Sequence, residues 1–110
     1  MENMIYYVDI DGTICDQELG RHYSLSKPYK ERIEHFNELF DQGHEIHYWT
    51  ARGQQSKIDY TELTKQQLQD WGVKYTSLKL GKPHYDLWID DKSRNANMYF
   101  EQIELDKEWK

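Results

Sequence analysis

The sequence predicts an α/β fold, a mostly parallel central sheet with helices on both faces. Three observations carry this. Short apolar runs of strand character alternate with stretches of helical period. The first run is apolar on both faces, as a strand covered from two sides is. Polar residues fall at the carboxyl ends of these runs, where open α/β sheets bind ligands.

The first strand is Met4–Ile10, β-branched and aromatic until Asp9, and Asp11-Gly12-Thr13 ends it with turn chemistry. Residues 14–25 are polar and mixed and read as a loop or small hairpin. Ser26 offers an N-cap and Pro28 an early helical position. Ile33, Phe36, Leu39 and Phe40 then recur at helical spacing up to Gly43, which predicts a helix over 28–41. Glu45–Trp49 is the second strand, closed by Thr50-Ala51-Arg52-Gly53. A second helix spans 56–71, with Ile58, Leu63, Leu68 and Trp71 inward and Gly72 as its stop. The third strand is 73–78, and Gly81-Lys82-Pro83 is a turn. The fourth strand is 85–89, ending at Asp90-Asp91. A last helix covers 94–104, with Met98 and Phe100 or Ile103 inward.

The 110 residues correspond to one domain, 1–110, at about 100–200 residues per domain. Lys and Arg total 14 against 20 Asp and Glu, a net charge of −6. That balance argues against nucleic-acid and anionic-membrane partners, which call for a basic face. Hydrophobic residues are 37%, but aromatics reach 15%, so a compact core is feasible. No apolar run approaches the ~18–20 residues of a membrane span, and Met1–Asp9 lacks the basic region of a signal peptide. The single cysteine, Cys15, fits a reducing compartment. The expected location is the cytoplasm.

Parallel strands bring their carboxyl ends to one edge. Asp9 and Asp11, Thr50, and Asp90 and Asp91 therefore converge in this reading. Four carboxylates so close repel one another unless some are protonated or a cation sits among them. Oxygen ligands without Cys or a His pair favour Mg²⁺ over Zn²⁺. Lys82, between Gly81 and Pro83, is placed to neutralise a bound phosphate, with Lys79 and Lys92 as competitors.

Asp9-Ile10-Asp11-Gly12-Thr13 resembles the first motif of the haloacid dehalogenase (HAD) superfamily. Thr50 after Ile46–Trp49 is similar to the second, Lys82 in Gly-Lys-Pro to the third, and Asp90-Asp91 after Leu87-Trp88-Ile89 to the fourth. The ordered set spans residues 5–91. The 81–92 stretch more narrowly resembles small bacterial HAD proteins of capsule and surface-polysaccharide biosynthesis. The resemblance implies a Rossmann-like three-layer fold and a Mg²⁺-dependent phosphatase of a small phosphorylated metabolite, such as a sugar phosphate. It implies Asp9 as the nucleophile that becomes an aspartyl-phosphate, and Asp11 as the acid and then base. It implies metal ligation by Asp9, the Asp11 carbonyl and Asp90, with Asp91 a further ligand or a neighbour of one. Thr50 and Lys82 would bind phosphoryl oxygens, with backbone N–H groups around Gly12 and Thr13. An Asp at the position of Asp11 goes with phosphatases within that family.

Arg52 is placed for a substrate anion or is a surface charge. Arg21, His22 and Tyr23 lie where the family has a substrate-touching flap. Tyr85 and Trp88 stack on a sugar or pack in the core. Cys15 among acids is expected to be an inert thiol. His44 and His47, three apart on a strand, point to opposite faces and make a poor metal pair. Residues 12–49 and 51–81 leave no room for the cap domains of HAD enzymes, so a capless, open site is expected. Excluding water aids phosphoryl transfer, and a homo-oligomer is expected on that ground. The alternatives are a nucleotide or polynucleotide-end phosphatase, and a non-catalytic phosphate-binding module.

Overall fold

The computed structural model describes residues 2–17 and 22–108. Its elements are β1 (Ile5–Val8), a single 3-10 turn (Tyr23–Leu25), α1 (Lys30–Asp41), β2 (Glu45–Thr50), α2 (Thr61–Asp70), β3 (Ser77–Leu80) and α3 (Ala96–Glu108). The strands form one parallel sheet in the order β1-β2-β3. Tyr6 lies beside Ile46, Val8 beside Tyr48, and Thr50 beside Leu80. All three strands thus end on one edge, and the parallel α/β class holds.

The layering differs from the expectation. Parallel crossovers are right-handed, and the strands are laid down in consecutive order, so α1 and α2 fall on the same face. Alternation along the strands matches this. Val8, Ile46 and Tyr48 are buried with Ile33 and Phe36 of α1 and Leu68 of α2. Helix α3 packs on α1 rather than on the sheet's far side. The Tyr99 and Phe36 rings stack at 6.2 Å, Tyr99 Oη is 2.8 Å from His35 Nε2, and the Arg32 guanidinium lies 4.6 Å over Phe100. The opposite face carries Ile5, Tyr7, His47 and Trp49, with Ile5 62% and Tyr7 57% exposed. The first strand is therefore an edge strand open on one face, not a central strand covered on two.

The predicted fourth strand, 85–89, is irregular. Leu87 and Ile89 are 75% and 87% exposed. Trp88 instead meets Trp49 edge-on at 6.0 Å and Tyr85 at 5.0 Å, which draws the segment onto the open face. Other boundaries shift for local reasons. Helix α1 starts at Lys30 because residues 27–29 run beside 14–16: Asp16 N–H donates to Lys27 O, and Tyr29 N–H to Ile14 O at 2.8 Å. Ser26 consequently closes the 3-10 turn instead of capping a helix. Lys57 adopts φ 63°, which no α-helix accommodates, so α2 begins at Thr61, whose N–H donates to the Asp59 carboxylate. Ile58 is left exposed. The third strand sits at 77–80, and residue 76 enters the sheet's edge through its hydroxyl, which accepts from Ile46 N–H at 3.0 Å. In α3, Met98 is exposed, and Tyr99, Phe100 and Ile103 are partly buried.

Tyr48 is fully buried, and its hydroxyl has no hydrogen-bond partner among the described residues. Burial without a partner pushes its ionisation well above the ordinary range. An unpaired buried hydroxyl costs about 1–3 kcal/mol. Tyr48→Phe should therefore raise stability by about 1 kcal/mol, read as a higher urea midpoint at unchanged m-value.

Candidate functional site

The carboxyl edge of the sheet gathers Asp9, Asp11, Thr50 and Lys82. Asp9 is the first residue past β1, and Thr50 is the last of β2. Lys82 arrives because its backbone N–H donates to Thr50 O at 3.1 Å, which pins the 81–83 turn to the end of β2. Gly81 at φ 93° makes that turn possible. The Lys82 ammonium then stands 3.7 Å from Asp9 Oδ1, its side chain 14% exposed and that of Asp9 38% exposed. Tyr85 and Trp88 flank the ammonium, with ring centroids 5.3 and 5.9 Å away. Partial burial raises the Asp9 carboxyl above the ordinary carboxylate range, and the Lys82 charge offsets part of that rise. Lys79 and Lys92 are exposed and are not the lysine that meets Asp9.

Asp11 and Arg52 form a buried ion pair. Arg52 Nε donates to Asp11 Oδ2 and Nη2 to Oδ1, both at 2.9 Å. The Arg52 side chain has no exposed surface. Its Nη1 donates to Thr64 Oγ1 at 3.2 Å and to Gln67 Oε1 at 2.6 Å, and its guanidinium lies 4.7 Å over the Tyr23 ring. Arg52 is thus neither a surface charge nor an open anion site. Thr50 is buried, and its hydroxyl accepts from Arg52 N–H at 3.1 Å. The turn after Ile10 is closed on itself. Gly12 N–H donates to Cys15 O, and Thr13 and Ile14 N–H both donate to Ile10 O. The N–H groups of Gly12 and Thr13 expected at a phosphate are engaged within this turn. As placed, Lys82 is the cation that meets Asp9, while Thr50, Arg52, Gly12 and Thr13 are engaged in the frame around them.

Asp90 and Asp91 lie on the exposed 81–95 segment. The Asp90 carboxylate accepts from Lys92 N–H at 3.1 Å, which holds it below the usual carboxylate range, and the neighbouring Asp90 pushes Asp91 up. Among the described residues the segment forms no ladder with β1. Among the described residues, no group of three His, Cys, Asp or Glu stands together as metal ligands do. Without such a cluster the residues as placed do not form a Mg²⁺ site, and no step below is routed through one.

Cys15 is fully buried beside Asp11, 3.5 Å from Oδ1, and burial pushes its thiol up to about 12, an inert state. His44 Nδ1 accepts from Met4 N–H, and His47 bonds Ser77 and Glu45, so both histidines serve the sheet. Tyr23 and His22 pack on Tyr60 at 4.9 and 5.9 Å; Arg21 lies outside the described residues. Thr64 and Gln67 are site residues that sequence reading passed over. Their signal was present: two polar residues at i, i+3 on the same helical face as Leu68, all three buried.

Gly53, next to Arg52, has φ 81°, and a Cβ there would overlap the Ile58 carbonyl oxygen. Gly53→Ala should cost about 1–3 kcal/mol, seen as a lower urea midpoint.

No family model matches this chain, and no curated protein does. The chain is similar to the crystal structure of an MCSG target from Vibrio cholerae. The likeness covers 96% of this chain and 98% of that one, at 25% identity and a TM-score of 0.76. The parallel α/β architecture is accordingly one that this chain shares with a protein solved by crystallography.

Proposed function

We propose that the chain is a HAD-like phosphomonoester hydrolase of a small phosphorylated metabolite, acting through an aspartyl-phosphate. The observation that carries this reading is the meeting of Asp9 and Lys82 at the carboxyl edge of a parallel sheet, 3.7 Å apart. A partly exposed carboxylate is a competent nucleophile toward phosphorus, and the adjacent ammonium offsets the repulsion between two anions. An Asp9 oxygen bonds to phosphorus and the ester P–O bond breaks. Following the resemblance, Asp11 in its protonated form gives its proton to the leaving oxygen, a step that requires one of its oxygens to leave the Arg52 fork. Water then attacks the phosphorus, Asp11 takes its proton, and phosphate and Asp9 are released. A sugar phosphate of surface-polysaccharide synthesis is the substrate class that the sequence resemblance favours, and Mg²⁺ enters the reading through that resemblance alone.

The test is hydrolysis of p-nitrophenyl phosphate by the full chain, first chelated and then with added Mg²⁺. Lys82→Met should lower kcat/KM by about 10²–10³-fold, the scale for losing one charge-stabilising donor. An unchanged rate in Lys82→Met would overturn the site assignment. The occupation of both Asp11 oxygens by Arg52 favours a second reading, a phosphate-binding module without turnover. Phosphate binding with no hydrolysis of any monoester, with or without Mg²⁺, would select it.

A further inference from the structure

We infer that Arg52 is a positioning residue for the Asp11 carboxylate, and that the turn at Tyr23 is the strap that holds Arg52 in place. This rests on the hydrolase reading for its chemical consequence, and on geometry for the network itself.

An arginine at a protein surface has several orientations. Arg52 has one. Its backbone is tied to Thr50 Oγ1, and its fork takes both Asp11 oxygens at 2.9 Å. The remaining nitrogen is spent on Thr64 and Gln67 of α2. Such a planar, bidentate fork fixes the carboxylate plane as well as its distance. Gln67 makes the network continuous. Its side-chain oxygen accepts from Arg52 at 2.6 Å, and its side-chain nitrogen donates to Tyr23 O, also at 2.6 Å. The Tyr23 ring closes over the guanidinium at 4.7 Å and is itself held edge-on by Tyr60. One amide therefore links a turn of residues 22–25, helix α2 and the acid two residues from Asp9. Asp11 is thus placed relative to Asp9 by Arg52, on which Thr64, Gln67 and the Tyr23 turn act in their turn.

Gln67→Leu, close in volume, removes both bonds of that amide. In p-nitrophenyl phosphate hydrolysis at 25 °C, it should lower kcat about 10–100-fold, the scale of an ångström-level misplacement, with KM within about twofold. Gln67→Glu keeps the acceptor for Arg52 and loses the donor to Tyr23, and should fall between wild type and Gln67→Leu. A Gln67→Leu protein that unfolds at lower urea but retains full kcat is structural only, and overturns the inference. Gln67→Glu at the wild-type rate removes the Tyr23 strap from it. A readout independent of turnover accompanies these. The urea midpoint shifts of Gln67→Leu and Asp11→Asn should fail to add in the double variant, because Arg52 joins them. Additive shifts overturn the network. A wild-type chain that hydrolyses no monoester, yet shows non-additive shifts, refutes the hydrolase reading and leaves the coupling standing.

Discussion

Asp9→Asn should abolish ester hydrolysis and at the same time raise the thermal midpoint at neutral pH. An amide in place of the carboxylate cannot attack phosphorus, and loss of a covalent nucleophile costs on the order of 10⁴-fold or more in kcat. The stability change has the opposite sign. Partial burial raises the Asp9 carboxyl above its ordinary 3.8, and Lys82 only partly offsets this. A carboxyl whose folded value exceeds its unfolded value supports folding fully below the unfolded value. That support is lost as pH rises through the folded value. At neutral pH the ionised Asp9 is thus a burden on the fold, and the neutral amide removes it. Lys82 keeps the faces of Tyr85 and Trp88 when its carboxylate partner is gone. Two measurements check this: single-turnover hydrolysis, and thermal midpoints of wild type and variant at acid and neutral pH. The midpoint advantage of the variant should grow with pH. Residual activity near the wild-type level would refute the nucleophile. A lower midpoint at neutral pH would show that the Lys82 pair outweighs the burial.

The parts of this fold legible in the sequence are those whose period is set locally. Ile46 and Tyr48 alternate with His47 and Trp49 and make β2 plain. Ile33 and Phe36 do the same for α1 at helical spacing. The convergence of Asp9, Asp11 and Thr50 was legible from strand direction, because parallel strands end together, whereas Asp90 and Asp91 were expected with them on a fourth strand that does not form. What could not be read is where long side chains go. Arg52 has the same local sequence whether it meets solvent or Asp11, and the choice is made by Thr64 and Gln67, 12 and 15 residues away. The 85–89 run has strand-like composition, yet strand formation is decided by a neighbouring edge, and the packing of Trp88 on Trp49 competes with it. Helix starts at 30 and 61 were set by the 14–16/27–29 pairing and by the turn at Gly53 and Lys57, which no periodicity announces.

Arg52→Met should be among the most damaging single substitutions in the chain, a loss of about 3–5 kcal/mol. The reason is what remains behind. Asp11, whose side chain is 12% exposed, would lose both of its charge-assisted hydrogen bonds. The oxygens of Thr64 and Gln67, both buried residues, would lose their donor, and the Tyr23 ring its cation. Against a total stability of about 5–15 kcal/mol for a domain, that leaves little margin. Urea unfolding measures the loss directly. The double variant Arg52→Met, Asp11→Leu separates the cost of breaking the pair from the worth of having it. With both charges gone and the volume filled, the uncompensated carboxylate disappears, and most of the lost stability should return, since desolvating two charges consumes much of their attraction. If the single variant loses less than about 1 kcal/mol, the pair behaves as an exposed one and the buried network is not formed. If the double variant is no more stable than the single, the pair contributes net stability beyond its desolvation cost. The conserved volume would then be less important to the fold than the fork that ties β1, β2 and α2 together.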